Sequence, residues 1–186
     1  MLRPIYLQPG DKVALISPSG IATKEQLDAA CSLLTSWELE PVPGQHVLSR
    51  HGRLAGTDEE RLHDLQTALD AEDIRAIWCM AGDYGMLRIV QEADYSIFQG
   101  NPKWVIGMND ITVLHAKLHS LGIESLHAFM PSNYKNTSPE VVTQLRNFLF
   151  GIISSYAIPA HPFNRTGIVE TEMIGGMLQY FIDSLF

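Results

Sequence analysis

Short apolar runs that alternate with helical patterns constrain the fold of this sequence more than any other feature. Lys12–Ser17, Ile74–Cys79 and Trp104–Ile106 are largely apolar, as expected of strands that are covered on both faces of a parallel sheet. Glu38–Val42 and Glu124–His127 predict two weaker strands. The sequence therefore predicts an α/β fold, a doubly wound and mostly parallel sheet of about five strands flanked by helices.

The segments between and after these strands have the spacing of amphipathic helices. Thr23 and Thr57 are the predicted N-caps of the first two helices, and Glu60, three residues after Thr57, predicts a capping box. The predicted helices cover Thr23–Trp37, 57–69, Met86–Gln91, Ile111–Leu121 and Pro139–Phe150.

The 186 residues suggest one domain with a terminal extension. We assign residues 1–150 to the α/β domain. Residues 151–186 are expected to form a linker, an edge strand over Gly167–Ile174 and an apolar helix over Met177–Phe186.

Composition and charge exclude several classes of partner. The net charge is −8 and no basic cluster offsets it, so we expect no nucleic-acid partner. No apolar run reaches the ~18 residues of a membrane span, and no signal pattern begins the chain, so we expect a cytoplasmic protein without membrane contact. Cys31 and Cys79 lie among apolar residues and are predicted to be buried, reduced thiols. We expect no cofactor and no metal.

Ligands of an open α/β sheet bind at the carboxyl ends of its strands, and the candidate site residues lie there. The turn after Trp104–Ile106 enters a helix through Met108, Asn109 and Asp110, the geometry that carries the nucleophile in many hydrolases. An Asn amide is not a useful nucleophile at neutral pH. The candidate ligand contacts at the other strand ends and at this turn are Ser17, Gly82, Tyr84, Gly85, Met108 and His127.

Separate motifs in a fixed order carry a family resemblance that covers residues 4 to about 176. The motifs are Leu7–Asp11, Ile16–Gly20, Ala55–Arg61, Ile74–Cys79, Asn101–Lys103 and Ile106–Gly107. In these motifs the chain resembles the amino-terminal domain of the LD-carboxypeptidase family, serine peptidases of the murein tetrapeptide and microcin-immunity type.

The resemblance implies a nucleophilic Ser at the strand-to-helix turn and hydrolysis of the bond between an L-centre and a terminal D-amino acid. It also implies an oxyanion held by backbone N–H groups of that turn, including that of Asp110, and of a Gly-Gly-Tyr-Gly turn. A Glu and a His of a carboxy-terminal domain would complete the triad.

Departures from the family pattern are concentrated at the implied site, among them Met108 and Phe129. Asn109 occupies the Ser position, Asp83 places a negative charge in the oxyanion turn, and Met177 follows Gly175–Gly176 where the family has Asn. The domain that would supply Glu and His is expected to be absent. We therefore predict a truncated, catalytically inactive domain, either engineered or a natural degenerate paralogue. The alternative is a small-molecule binding domain that uses the strand-end crevice.

Large apolar side chains near the implied site predict that the former interdomain face forms a homodimer or a new pocket. Met108, Phe129, Met177 and Phe181 are its expected centre, and the full set adds Met80, Tyr180, Leu185 and Phe186.

Several of these residues also have plainer interpretations. Asn109 is a good N-cap residue, and Asp83 is an ordinary turn residue. His115 and His119 have i, i+4 spacing, which suits a metal, but a partly exposed helix face is the favoured interpretation.

Overall fold

A computed structural model of the protein describes residues 1–153 and 159–180. Its five strands form one sheet, and every pair of neighbouring strands is parallel. The predicted doubly wound α/β fold is therefore confirmed. The strands are β1 (Lys12–Ile16), β2 (Glu40–Pro43), β3 (Ile74–Cys79), β4 (Trp104–Gly107) and β5 (Leu126–His127).

The strand order reverses direction at β1. The chain first adds β2 on one side of β1 and then adds β3, β4 and β5 on the other side. A crevice at the carboxyl ends of the strands forms at such a switch point, because the two neighbouring connections leave on opposite faces of the sheet. The turns after β1, β3 and β4 therefore meet at one edge.

Six α-helices and two 3₁₀ segments occupy the connections within the described ranges. Thr23 and Thr57 are N-caps with complete capping boxes, as predicted. Two short elements, α4 and a 3₁₀ helix over Pro131–Asn136, have no counterpart in the prediction, because one or two turns are too short to show helical periodicity. The helices are α1 (Lys24–Ser36), α2 (Asp58–Asp70), α3 (Met86–Ile89), α4 (Ser96–Gly100), α5 (Thr112–Ser120) and α6 (Pro139–Leu149).

Alternation along the central strands divides the core into two layers. In β1, Ala14 and Ile16 pack with the α2 and α5 side, whereas Val13 and Leu15 pack with the α1 and α6 side. All four side chains are buried, which explains the continuous apolar run in the sequence.

The prediction for residues 151–186 is partly wrong. Residues 167–174 form no strand and are exposed, because alternation gave them a strand-like pattern but no neighbouring strand pairs with them. Residues 178–180 are helical, and the remainder of the predicted terminal helix lies outside the described residues. Cys79 is a buried free thiol as predicted, whereas Cys31 is only half-buried. Within the described ranges, no helix has the length and apolar character needed to cross a bilayer.

Candidate active site

The turn after β4 has the backbone geometry of a nucleophile elbow. Asn109 follows the strand with φ 60°, in the left-handed region, and begins a 3₁₀ turn, Asn109–Ile111, that continues into α5. Asn tolerates this region better than most residues with a Cβ atom. Gly107 permits the sharp approach, because a Cβ there would lie 2.8 Å from the Ile111 side chain.

The Asn109 side chain points across the crevice and is not an N-cap. Its Nδ2 donates to the Gly82 carbonyl at 3.4 Å. The N-cap position of the 3₁₀ turn is Met108, and that of α5 is Ile111, neither with a side-chain cap. The N-cap interpretation of Asn109 is therefore wrong, because its backbone conformation belongs to the turn itself.

Gly82 lies directly against the elbow. A Cβ at Gly82 would lie 2.7 Å from the Met108 carbonyl oxygen and 2.9 Å from Asp110 Oδ1. This approach admits only glycine, and it brings the turn after β3 into contact with the turn after β4. In the same turn, Gly85 has φ 130°, and Tyr84 is 53% exposed.

The Asp110 carboxylate joins the turns after three strands. It accepts hydrogen bonds from Ser19 Oγ at 2.6 Å, the Asp83 N–H at 3.0 Å and the Met86 N–H at 3.1 Å. The side chain is buried, and this burial raises the pKa of Asp110 above its ordinary value. The resemblance predicts a role only for the Asp110 backbone N–H. The hydrogen bonds of the Asp110 carboxylate were not predicted.

A buried guanidinium forms a second tie between the same turns. Arg61 Nη1 donates to the Pro18 carbonyl at 2.6 Å and to the Gly85 carbonyl at 3.0 Å, and Nη2 pairs with Asp58. Arg61 shares the buried face of α2 with Leu65. A charged residue on the apolar face of a predicted helix was the signal that could have revealed this contact.

Asp83 affects the candidate oxyanion site through its backbone more directly than through its charge. Its N–H is bonded to Asp110, so that this group is not free to hold an oxyanion. Its carboxylate is 57% exposed and lies 3.5 Å from Arg53 Nη2, on the solvent side of the turn.

The remaining candidate residues lie in three different environments. Ser17 is buried and its hydroxyl donates to the Val47 carbonyl at 2.7 Å, which leaves no hydroxyl proton for a ligand. His127 is exposed at the end of β5, with its ring 6.0 Å from that of His115. His115 is buried, and its ring nitrogens contact Ser125 Oγ and the Gly107 carbonyl. His115 therefore has no free nitrogen with which to share a metal with His119.

The last described residues lie against the elbow. The Met177 N–H donates to Thr112 Oγ1 at 3.0 Å, and the Tyr180 hydroxyl donates to the Asp83 carbonyl at 2.8 Å. These contacts place the last described residues beside the turns after β3 and β4. The family resemblance predicts that this segment lies near the site. The sequence pattern does not predict these two hydrogen bonds.

The predicted dimer face is less open than the sequence suggested. Phe129 is 9% exposed and packs edge-on against Trp78, and Met80 is completely buried. Met108 is partly buried, Met177 is 45% exposed, and Phe181 lies outside the described residues. The sequence predicts an open position for Phe129 because this residue follows a strand end. Its packing partner, Trp78, is distant in sequence. Self-association remains a prediction.

Comparisons with known proteins agree with this architecture. The murein tetrapeptide carboxypeptidase of Pseudomonas aeruginosa is 38% identical over 64% of this chain and 40% of its own length. Among solved structures, the microcin C7 self immunity protein MccF is similar with a TM-score of 0.76 and 20% identity, over 95% of this chain and 58% of that one. The muramoyltetrapeptide carboxypeptidase of Oxalobacter formigenes gives a TM-score of 0.66 and 24% identity, over 74% and 47%.

A family model matches the part of the chain that contains the elbow. The chain spans no more than about 60% of the length of the first curated relatives. Residues 13–128, which contain β1 to β5 and the elbow, match the model described as the LD-carboxypeptidase N-terminal domain. The chain therefore belongs to the LD-carboxypeptidase family.

Proposed function

We propose that the crevice at the elbow binds murein-type peptides that end in an L,D bond and that the elbow does not hydrolyse them. The observation that carries this proposal is Asn109. It has the left-handed backbone of a nucleophile elbow, but its side chain is an amide that donates to Gly82. Acyl transfer needs a hydroxyl, thiol or similar nucleophile, which an amide does not replace.

The neighbouring hydroxyl and thiol groups do not replace the missing nucleophile. Ser19 is fully buried and its hydroxyl donates to the Asp110 carboxylate. Thr112 is also buried, and its hydroxyl oxygen accepts from the Met177 N–H. Burial raises the pKa of the Cys79 thiol, so the reactive thiolate is not formed near neutral pH.

Peptide binding is supported by the close contacts and hydrogen bonds between the turns at the elbow. The close approach of Gly82 and the three hydrogen bonds of Asp110 hold the crevice in one shape. A relative that is 38% identical is named a murein tetrapeptide carboxypeptidase. We extend that substrate class to this chain as a ligand class, and we expect binding in the cytoplasm, where the free thiols of Cys31 and Cys79 would stay reduced.

A calorimetric titration with a murein tetrapeptide tests the proposal, with the diastereomer that ends in an L-residue as the ligand control. Asn109→Gly keeps the left-handed backbone accessible and removes the amide. The second amide N–H and the amide oxygen stay free for the peptide, so we expect Asn109→Gly to weaken binding about three- to tenfold, the loss of one hydrogen bond to the ligand. Asn136→Gly, at an exposed position, is the matched control and should leave the affinity unchanged.

Two outcomes would contradict the proposal. The first is equal affinity for the two diastereomers, or no binding of either at millimolar concentration. The second is release of the terminal D-residue by the wild-type protein, provided that Asn109→Gly abolishes the release.

A further inference from the structure

A second cluster of ligating side chains lies beside β2, away from the elbow. His46, His63 and Asp64 each offer one ligand atom, and these atoms lie within 4.8 Å of one another. Within residues 1–153 and 159–180, this group meets the spacing expected for three metal ligands. None of the three side chains takes part in the hydrogen bonds that hold the elbow.

Asp64 is the fixed centre of this cluster. It lies on the buried face of α2 and is 4% exposed. Its Oδ2 accepts the His46 N–H at 2.8 Å. Gly44 makes this approach possible, because a Cβ there would lie 2.4 Å from the same oxygen. The turn after β2 is therefore built around a buried carboxylate.

The two imidazoles lie on the solvent side of this carboxylate. His63 Nδ1 is 3.5 Å from Asp64 Oδ1, and its side chain is 53% exposed. The His46 ring is edge-on to that of His63 at 5.4 Å between centroids. Both rings can therefore turn towards a shared point next to Asp64 with little change in the buried structure.

Glu60 lies beside His46, outside the group of three ligand atoms. It precedes His63 and Asp64 by three and four residues, so all three lie on neighbouring positions of α2. Glu60 Oε1 is 3.5 Å from His46 Nδ1, whereas Oε2 accepts the Thr57 N–H in the capping box. The capping bond thus holds the Glu60 carboxylate beside His46, where it can orient the imidazole.

We propose that His46, His63 and Asp64 bind one divalent transition-metal ion, with Zn²⁺ as the preferred ion and water as the fourth ligand. Two imidazoles and one carboxylate give a mixed set of nitrogen and oxygen ligands, which suits Zn²⁺. Ligand atoms around tetrahedral Zn²⁺ are roughly 3.3 Å apart, so a small rotation of the imidazoles completes the site.

The bound ion would hold the loop after β2 against α2. The same loop accepts the Ser17 hydroxyl through the Val47 carbonyl, which connects it to the end of β1. The site therefore stabilises one flank of the sheet edge, and it does not depend on whether the elbow binds a peptide.

Zn²⁺ titration by calorimetry and elemental analysis of the dialysed protein test this proposal, with any polyhistidine tag removed. We expect one Zn²⁺ per chain and a rise in Tm with Zn²⁺. His63→Gln, at a half-exposed position, should weaken binding at least tenfold and abolish the Tm rise. His51→Gln is the matched control, because His51 is exposed and outside the cluster.

A second readout separates a metal site from a simple ion-pair network. Co²⁺ bound to imidazole and carboxylate ligands should give visible absorption bands that His46→Gln and His63→Gln both remove. The proposal is wrong if the wild-type protein takes up no Zn²⁺ at pH 7.5. It is also wrong if His63→Gln and His51→Gln bind Zn²⁺ equally.

Discussion

The hydrogen bonds of Asp110 allow a quantitative test of how the candidate site is held together. Asp110→Asn changes one carboxylate oxygen to an NH₂ group and leaves the volume unchanged. Oδ2 faces two donors, Ser19 Oγ and the Met86 N–H, and Oδ1 faces the Asp83 N–H. The amide oxygen therefore takes the Oδ2 position, and the NH₂ group is directed at the N–H of Asp83.

The expected destabilisation is about 2 kcal/mol. Leaving the Asp83 N–H opposite another donor costs about 1–3 kcal/mol, and the two remaining bonds each lose about 1 kcal/mol when the acceptor is no longer charged. The removal of a buried charge offsets part of this loss, since the same burial raises the pKa of Asp110.

Urea unfolding at pH 7 measures this difference, and amide hydrogen exchange locates it. Asp110→Asn should lower the midpoint without changing the m-value, and it should speed exchange at Asp83 and Met86. Asp28→Asn is the matched control, since its ion pair with Lys24 is exposed and should be worth less than about 1 kcal/mol. Equal stability of the Asp110 variant and the wild type, with unchanged exchange, would refute the reasoning.

Three further predictions concern the same edge of the sheet. Burial lowers the pKa of His115 to about 4, so its contribution to stability is complete above pH 6.5 and is lost as the pH falls through 4. This loss is about 3 kcal/mol of the free energy of unfolding. His115→Asn should remove this loss when urea unfolding is measured as a function of pH. Parallel pH curves of the free energy of unfolding for the variant and the wild type would contradict the prediction. Gly82→Ala should lower the free energy of unfolding by about 1–3 kcal/mol in the same assay. Gly100→Ala should not lower it, because a Cβ there meets nothing within 4 Å. Equal effects of the two variants would contradict the close approach of Gly82 to the elbow. Arg61→Lys should lower Tm by the equivalent of about 1–3 kcal/mol, because one ammonium group cannot bond the Pro18 and Gly85 carbonyls and Asp58 from the positions of the two guanidinium nitrogens. A similar loss in the exposed Arg53→Lys would argue against this role.

The fold was predictable because burial on both faces leaves a direct mark in the sequence. The apolar runs at β1, β3 and β4 have no exposed face, and the Thr23 and Thr57 caps fix where two helices begin. The exposed segment over residues 167–174 shows the limit of this reasoning. Alternation of residue types predicts a strand only where a neighbouring strand offers hydrogen bonds.

The polar contacts of the site were less predictable, because they join residues far apart in sequence. Asp110 and Ser19 are separated by 91 positions, and Arg61 and Pro18 by 43. The side chains of Asp64 and Arg61 share one signal, a charged residue on the apolar face of α2. The left-handed backbone of Asn109 had no such signal, because Asn is compatible with both an N-cap and this conformation.

Release of the terminal D-residue from a murein tetrapeptide tests the central claim most directly. The wild-type protein, at a concentration equal to that of the peptide, is incubated at pH 7, and the products are separated by mass spectrometry. We expect bound, intact tetrapeptide, because the amide of Asn109 does not form an acyl-enzyme. Release of the D-residue at a rate above that of a buffer control, lost on Asn109→Gly and kept in Asn136→Gly, would show instead that the elbow hydrolyses the peptide.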